Sequence, residues 1–144
     1  MMKKMLSLVM AVVMILSLFS GMGVVSVAED DILSYLTYEI RNGEVIITGS
    51  DESISGDVVI PETIEGYPVT RIESYAFAWR NEITSITIHS YITYIDEIAT
   101  GSANLKAFYV DKDNKYYSSD ECGVLFNKHK TELIRSPEGR TEPS

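Results

Sequence analysis

Apolar and polar residues alternate in short bursts from Val69 to Val110, and the bursts come in two passes of one unit. In the first pass Val69-Thr70-Arg71-Ile72 leads through Tyr75-Ala76-Phe77 to Ile83-Thr84-Ser85-Ile86-Thr87-Ile88. In the second, Ile92-Thr93-Tyr94-Ile95 leads through Ala99-Thr100 to Leu105-Lys106-Ala107-Phe108-Tyr109-Val110. Ile72 and Ile95, Ala76 and Ala99, and Asn81 and Asn104 are each 23 positions apart. A fixed period in the twenties is the mark of a solenoid, in which small units stack because none buries its apolar face alone.

Within each pass, period two predicts a strand with one buried face. Ile86 and Ile88 point one way and Thr87 the other, as Phe108 and Val110 do around Tyr109. The segment Tyr75-Ala76-Phe77-Ala78-Trp79 is too short to hold a helix alone. It reads as a helical turn whose Ala and Phe plug the inside of the coil, and Trp79 beside them is either partly packed in the core or, with tyrosines such as Tyr94, part of a carbohydrate platform.

The flanks predict hairpins. Tyr35 to Ile40 alternates, Asn42-Gly43 turns, and Val45 to Thr48 returns, which is a strong hairpin signal. This hairpin, 35–48, is expected to cap the first solenoid strand, which begins at Asp57 and ends at Pro61, a residue with no N–H for a ladder. The repeats span 57–110, Tyr116 to Asp120 reads as polar and turn-rich, and a terminal hairpin is expected over 123–134. The whole is one mainly β domain, 29–139, with a frayed start at Glu29 to Leu33 and an unstructured tail over 140–144.

Residues 1–28 do not fit this pattern. Lys3 and Lys4 precede an apolar run from Met5 to Phe19, and Ser26-Val27-Ala28 supplies small residues before the acidic Glu29-Asp30-Asp31. That is the pattern of a cleaved signal peptide, and it predicts a secreted or cell-surface protein. The run is short of the ~20 apolar residues of a spanning helix. The chain carries 12 basic and 21 acidic residues for a net charge of −9, and loss of Lys3 and Lys4 would take it to −11. Such a balance argues against nucleic acid and against an anionic membrane surface. Cys122 is a single thiol and forms no internal disulfide.

The assembled motifs resemble the BspA-type, or Treponema pallidum-type, bacterial leucine-rich repeats. They are Val58-Val59-Ile60-Pro61, Gly66-Tyr67-Pro68-Val69-Thr70-Arg71-Ile72, Ala76-Phe77 and Ile83-Thr84-Ser85-Ile86-Thr87-Ile88. Tyr116 to Ser119, Gly123 to Lys128 and Thr131 to Ile134 also look like a segment found in these proteins, so the likeness covers roughly residues 35 to 139. It implies a short leucine-rich-repeat solenoid and a role in adhesion or cell-surface interaction, sometimes in plant-fibre-degrading bacteria. Departures from the family pattern include His89 where a Pro usually follows the strand, Glu73 and Asp96 for a Gly, and Arg80 in the region of a usual Cys. The smaller plug Ala99-Thr100 predicts looser packing in the second unit.

No residue set points to catalysis. His89 and His129 have no nucleophile on a constrained elbow to serve, and turn or surface roles account for both. In Asp111-Lys112-Asp113-Asn114 a calcium loop would need Gly and an acid where Tyr116 and Cys122 stand, so an acidic solvated turn is the better reading. The candidate binding face is the outward side of the strands: Thr84, Thr87, Lys106 and Tyr109, with Thr87 and Tyr109 one unit apart and side by side. The reading is a non-catalytic, monomeric module without cofactor or metal that binds an extracellular protein or glycan. The alternative is a structural spacer or truncated repeat fragment with no ligand of its own.

Overall fold

The computed structural model of the protein describes residues 28–96 and 100–140. Apart from Ala28 and Arg140, the expected leader and tail lie outside the described residues. Among the described residues one short helix, α1 (Ala28–Tyr35), precedes thirteen short strands. The expected fray at Glu29 to Leu33 is therefore part of a helix. Its order comes from packing, since Ile32, Leu33 and Tyr35 lie against the core. Among the described residues no helix is long and apolar enough to cross a membrane.

The hairpin forms as its sequence predicts. β1 (Leu36–Arg41) and β2 (Glu44–Ser50) run antiparallel, with Arg41 opposite Glu44. Asn42 and Gly43 both have positive φ, at 52° and 78°. This is the backbone of the tight turn that suits two right-twisted strands.

The repeat then appears as parallel pairing between equivalent stretches. In one ladder β2 pairs with β5 (Tyr67–Ile72), and β5 with β8 (Tyr94–Ile95), bringing Ile72 opposite Ile95. In a second, β3 (Gly56–Val59), β7 (Ile83–Ile88) and β10 (Ala107–Val110) lie side by side. In a third, β6 (Phe77–Ala78) pairs with β9 (Thr100–Gly101). β4 (Thr63–Ile64) folds back on the start of β5. The chain thus visits the three ladders in the same order on each pass, and each visit adds a strand beside its predecessor.

The segment around Phe77 corrects the expectation of a helical turn. Tyr75 and Trp79 hold φ of 62° and 59°, which interrupts any right-handed helix. The backbone instead makes successive i to i+3 bonds, Ala76 N–H to Glu73 O, Ala78 N–H to Tyr75 O and Arg80 N–H to Phe77 O. Between them Phe77 and Ala78 extend to meet β9. A neighbour that offers backbone partners decides the conformation where a five-residue stretch has no propensity strong enough to do so. The plug itself is as expected: Ala76 and Phe77 are fully buried. The expected looser packing turns on the plug Ala99-Thr100, of which Ala99 lies outside the described residues.

One apolar core runs through the stack, with Ile47, Ile72, Ile86, Ile88, Phe77 and Phe108 among its closed members. Burying a side chain of this kind contributes roughly 1.5–3 kcal/mol. The polar stretch after β10 is also structured, against expectation. β11 (Tyr117–Ser119), β12 (Leu125–Asn127) and β13 (Leu133–Arg135) form an antiparallel sheet, so the terminal hairpin gains a third strand. Buried Asn114 makes that possible. Its amide donates to the carbonyls of His89 and Ile92, and its oxygen accepts from Tyr116 and Tyr117 N–H, so every polar atom is used. Neither Asn114 nor Tyr117 belongs to a solvated turn.

Gly123 fixes the docking of this last sheet. Its φ is 75°, its carbonyl accepts from Phe108 N–H, and an added Cβ would run into Ala107 Cβ and meet Ala107 Cα at 2.6 Å. Gly43 has a similar φ but only Tyr67 Cδ1 at 4.0 Å. Gly43→Ala should therefore cost about 1–2 kcal/mol for the left-handed backbone alone. Gly123→Ala should cost that plus about 1–3 kcal/mol of overpacking. Thermal unfolding followed by circular dichroism checks the order, and equal losses would mean that the sheet does not dock through Gly123.

Candidate binding groove

The outward positions of the β3–β7–β10 ladder are set by register. Val59, Thr87 and Tyr109 are directly paired across the three strands, and Asp57, Ser85 and Ala107 form the row before them. Neighbouring strands lie about 4.8 Å apart, so each row is a short line of side chains across the sheet. The inward residues Val58, Ile86 and Phe108 are fully buried. Val59 and Tyr109 stay 49% and 57% exposed, which makes an apolar surface on a face that a solvated sheet would keep polar.

This places the four residues singled out in the sequence. Thr87 and Tyr109 are side by side as expected. Thr84 and Lys106 sit three residues earlier in their strands' approach, joined by a bond from Lys106 N–H to Thr84 O. The Thr84 hydroxyl is spent on Asp57, donating to Oδ1 at 3.0 Å, and Ser85 Oγ donates to the same oxygen at 2.7 Å. These two bonds hold the Asp57 carboxyl below its ordinary range. The upstream end of the face is thus closed on itself, and the downstream end is open.

At the open end the strands run out into Pro61, His89 and Asp111. Here lies a half-open groove of about 520 Å³, lined by Val59, Pro61, Glu62, Thr87, His89, Tyr109 and Asp111, with Ile60, Ile88 and Val110 beneath. The bonds Ile60 N–H to Thr87 O and Asp111 N–H to Ile88 O carry the parallel register to its edge. Of the four candidates, only Thr87 and Tyr109 line it.

His89 is the residue that the sequence reading misplaced. It is 6% exposed, not a surface turn residue. Its Nδ1 accepts from Tyr91 N–H at 3.1 Å, the Tyr91 ring meets it edge-on, and its carbonyl is held by Asn114. An accepting Nδ1 leaves the proton of the neutral ring on Nε2. Nε2 is buried and has no hydrogen-bond partner. The Pro61 carbonyl favours the protonated ring, as do Glu62 and Asp111, but burial outweighs all three and lowers the pKa from 6.5. The Pro61 contact does not reach hydrogen-bond geometry, so Nε2–H stays unmet. The signal available in the sequence was the break in pattern, His89 standing where the preceding strand has Pro61.

The other candidates, Asp111 apart, lie elsewhere. Trp79 is 70% exposed and stacks on Tyr75 with ring centres 5.2 Å apart, so it is not part of the core. Tyr94 carries Arg71 over its ring at 4.6 Å. Asp111 accepts from Asp113 N–H in a local turn, His129 is exposed, and Cys122 is half-buried. Among the described residues no group of His, Cys, Asp or Glu is gathered to hold a metal.

No protein-family model matches the chain, and no curated protein does. Solved structures do. A T. pallidum leucine-rich-repeat protein aligns over 57% of this chain at 19% identity with a TM-score of 0.50. A leucine-rich-repeat protein from Eubacterium ventriosum aligns over 60% at 30% identity with a TM-score of 0.51. The chain spans only 39% and 22% of those two proteins. At 19% identity the first likeness is one of fold. Both neighbours are bacterial leucine-rich-repeat proteins, and the chain is similar to each over a little more than half of its own length.

The buried ring of His89 predicts a pH dependence. Its native pKa lies below the unfolded value, so between the two the unfolded chain binds more protons. Its effect is absent well above 6.5, and stability falls as pH drops through that value towards the native pKa. From about pH 7.5 to about pH 5 the melting temperature should fall more steeply for the natural chain than for His89→Gln, whatever the offset between them. Parallel curves would show that the ring is not the titrating group.

Proposed function

We propose that the chain forms a short leucine-rich-repeat solenoid of an exported bacterial protein and acts, without catalysis, by binding an extracellular protein or glycan. The shared fold of its structural neighbours is one of interaction modules, which agrees with this reading. The observation that carries it is the downstream end of the β3–β7–β10 face. There Tyr109 and Val59 stay exposed on a rigid strand register beside a groove of about 520 Å³. Rigid strands present such side chains at low entropic cost. Thr87 and Tyr109 contact the ligand in this reading, while Thr84 and Lys106 border the contact and shape its upstream edge.

Two experiments test it. The chain is titrated against immobilised extracellular proteins and against neutral polysaccharides, alongside Tyr109→Ala. Loss of an aromatic anchor at the centre of a contact costs about 2 kcal/mol or more, so binding should weaken by about thirtyfold. Equal binding by the variant, or no binding to either class, would leave the spacer reading in its place. For export, expression in a bacterial host followed by mass spectrometry should find a mature chain in the medium or at the surface starting at Glu29. Intact chain retained in the cytoplasm would refute it.

A further inference from the structure

The groove at the ends of β3, β7 and β10 has a lopsided charge. Its lining includes two carboxylates, Glu62 and Asp111, and no lysine or arginine. Both carboxylates are exposed, and among the described residues neither forms an ion pair. Both act electrostatically on His89, which places them about one centre. Burial keeps that ring uncharged at neutral pH, so nothing within the groove offsets the two negative charges. The chain as a whole carries −9 and adds to the same field.

Two further features complete the chemistry. Tyr109 presents an exposed ring next to Asp111, and aromatic faces attract cations. The protein uses that pairing in another ladder, where Arg71 covers Tyr94 at 4.6 Å. Independently of charge, the wall of the groove holds a buried donor without an acceptor, His89 Nε2. The other described side-chain atom in that condition, Thr70 Oγ1, does not line the groove.

We propose that the groove binds an extended basic segment of a partner protein, with an arginine or lysine stem along Val59 and the Tyr109 ring and its charged head at the Glu62 and Asp111 carboxylates. A neutral sugar fits less well. Its hydroxyls bond to carboxylates but leave both charges uncompensated, whereas a cation neutralises them where they stand. The proposal rests on the groove being the binding site, and it narrows the ligand to a basic peptide.

The test titrates the full chain by fluorescence anisotropy with a labelled short peptide alternating arginine and alanine. A peptide of alternating glutamate and alanine and a neutral oligosaccharide serve as comparisons. The arginine peptide should bind and the glutamate peptide should not. Glu62→Gln with Asp111→Asn should weaken binding about tenfold or more, as should raising the salt from about 50 mM to about 300 mM. Glu121→Gln with Glu132→Gln removes the same charge outside the groove and should weaken binding by less than about twofold. An equal loss from both pairs would mean diffuse attraction to an acidic protein and would overturn the proposal. Binding of the oligosaccharide that Tyr109→Ala abolishes and the carboxamide pair spares would keep the groove as a site and overturn the basic ligand. No binding of either probe would remove both. Unchanged melting temperatures for both paired variants confirm that the comparison reads binding and not folding.

Discussion

The constraint on which this molecule depends is that no unit satisfies its own backbone. Each short strand offers one edge to the unit before it and one to the unit after, as Thr93 N–H to Thr70 O and Asp96 N–H to Ile72 O show. A buried N–H or C=O without a partner costs as much as a lost hydrogen bond. The stack must therefore be closed at both ends. At the start, β1 closes the edge of β2 by an antiparallel turn. At the far end the closure is made largely by side chains. Tyr117 Oη accepts from Ile95 N–H, Ser119 Oγ accepts from Val110 N–H, and the Asn114 amide donates to the carbonyls of His89 and Ile92, where the second unit begins. The terminal sheet imitates a further unit with hydroxyls and one amide.

That closure also explains the position of the groove. Where Asn114 ties down the carbonyls of His89 and Ile92, the chain after β7 cannot swing out. The last residues of three strands are left as a fixed rim. Tyr91 folds its backbone N–H onto His89 Nδ1, which sets the ring and its tautomer. The rim is thus a by-product of capping, held by bonds made for stability, and its exposed side chains are ordered before any ligand arrives.

What the sequence made legible was what repeats. The spacing of 23 reappears as paired Ile72 and Ile95, and Asn81 with Asn104 as a bond from Asn104 Nδ2 to the Asn81 carbonyl. The Asn42-Gly43 turn was legible because two adjacent positive φ angles demand such residues. What escaped was whatever depends on a neighbour in space. Phe77 and Ala78 are extended because β9 lies beside them. Tyr117 is a strand residue and a hydrogen-bond acceptor because Ile95, near the start of the second unit, lies next to it. Helix α1 forms where its apolar residues find the core. Of the site, Thr87 and Tyr109 followed from alternation and period, while Glu62, His89 and Asp111 did not, since they lie beyond the strands, where alternation stops.

A repeat keeps the backbone nearly constant from unit to unit, so residues at equivalent places differ only where something other than stacking acts on them. Along one row of the groove the equivalent residues are Pro61, His89 and Asp111, placed by the parallel register of the strands before them. Proline satisfies an edge by having no N–H to lose. Histidine at the next place brings a buried ring with an unmet donor, and aspartate at the third brings a charge without a counterion. Each makes a local bond, His89 Nδ1 with Tyr91 N–H and Asp111 with Asp113 N–H, but one also buries an unmet polar atom and the other adds repulsion to an acidic chain. In the proposed reading, these departures from a regular scaffold, whose costs stacking does not explain, serve a partner outside it.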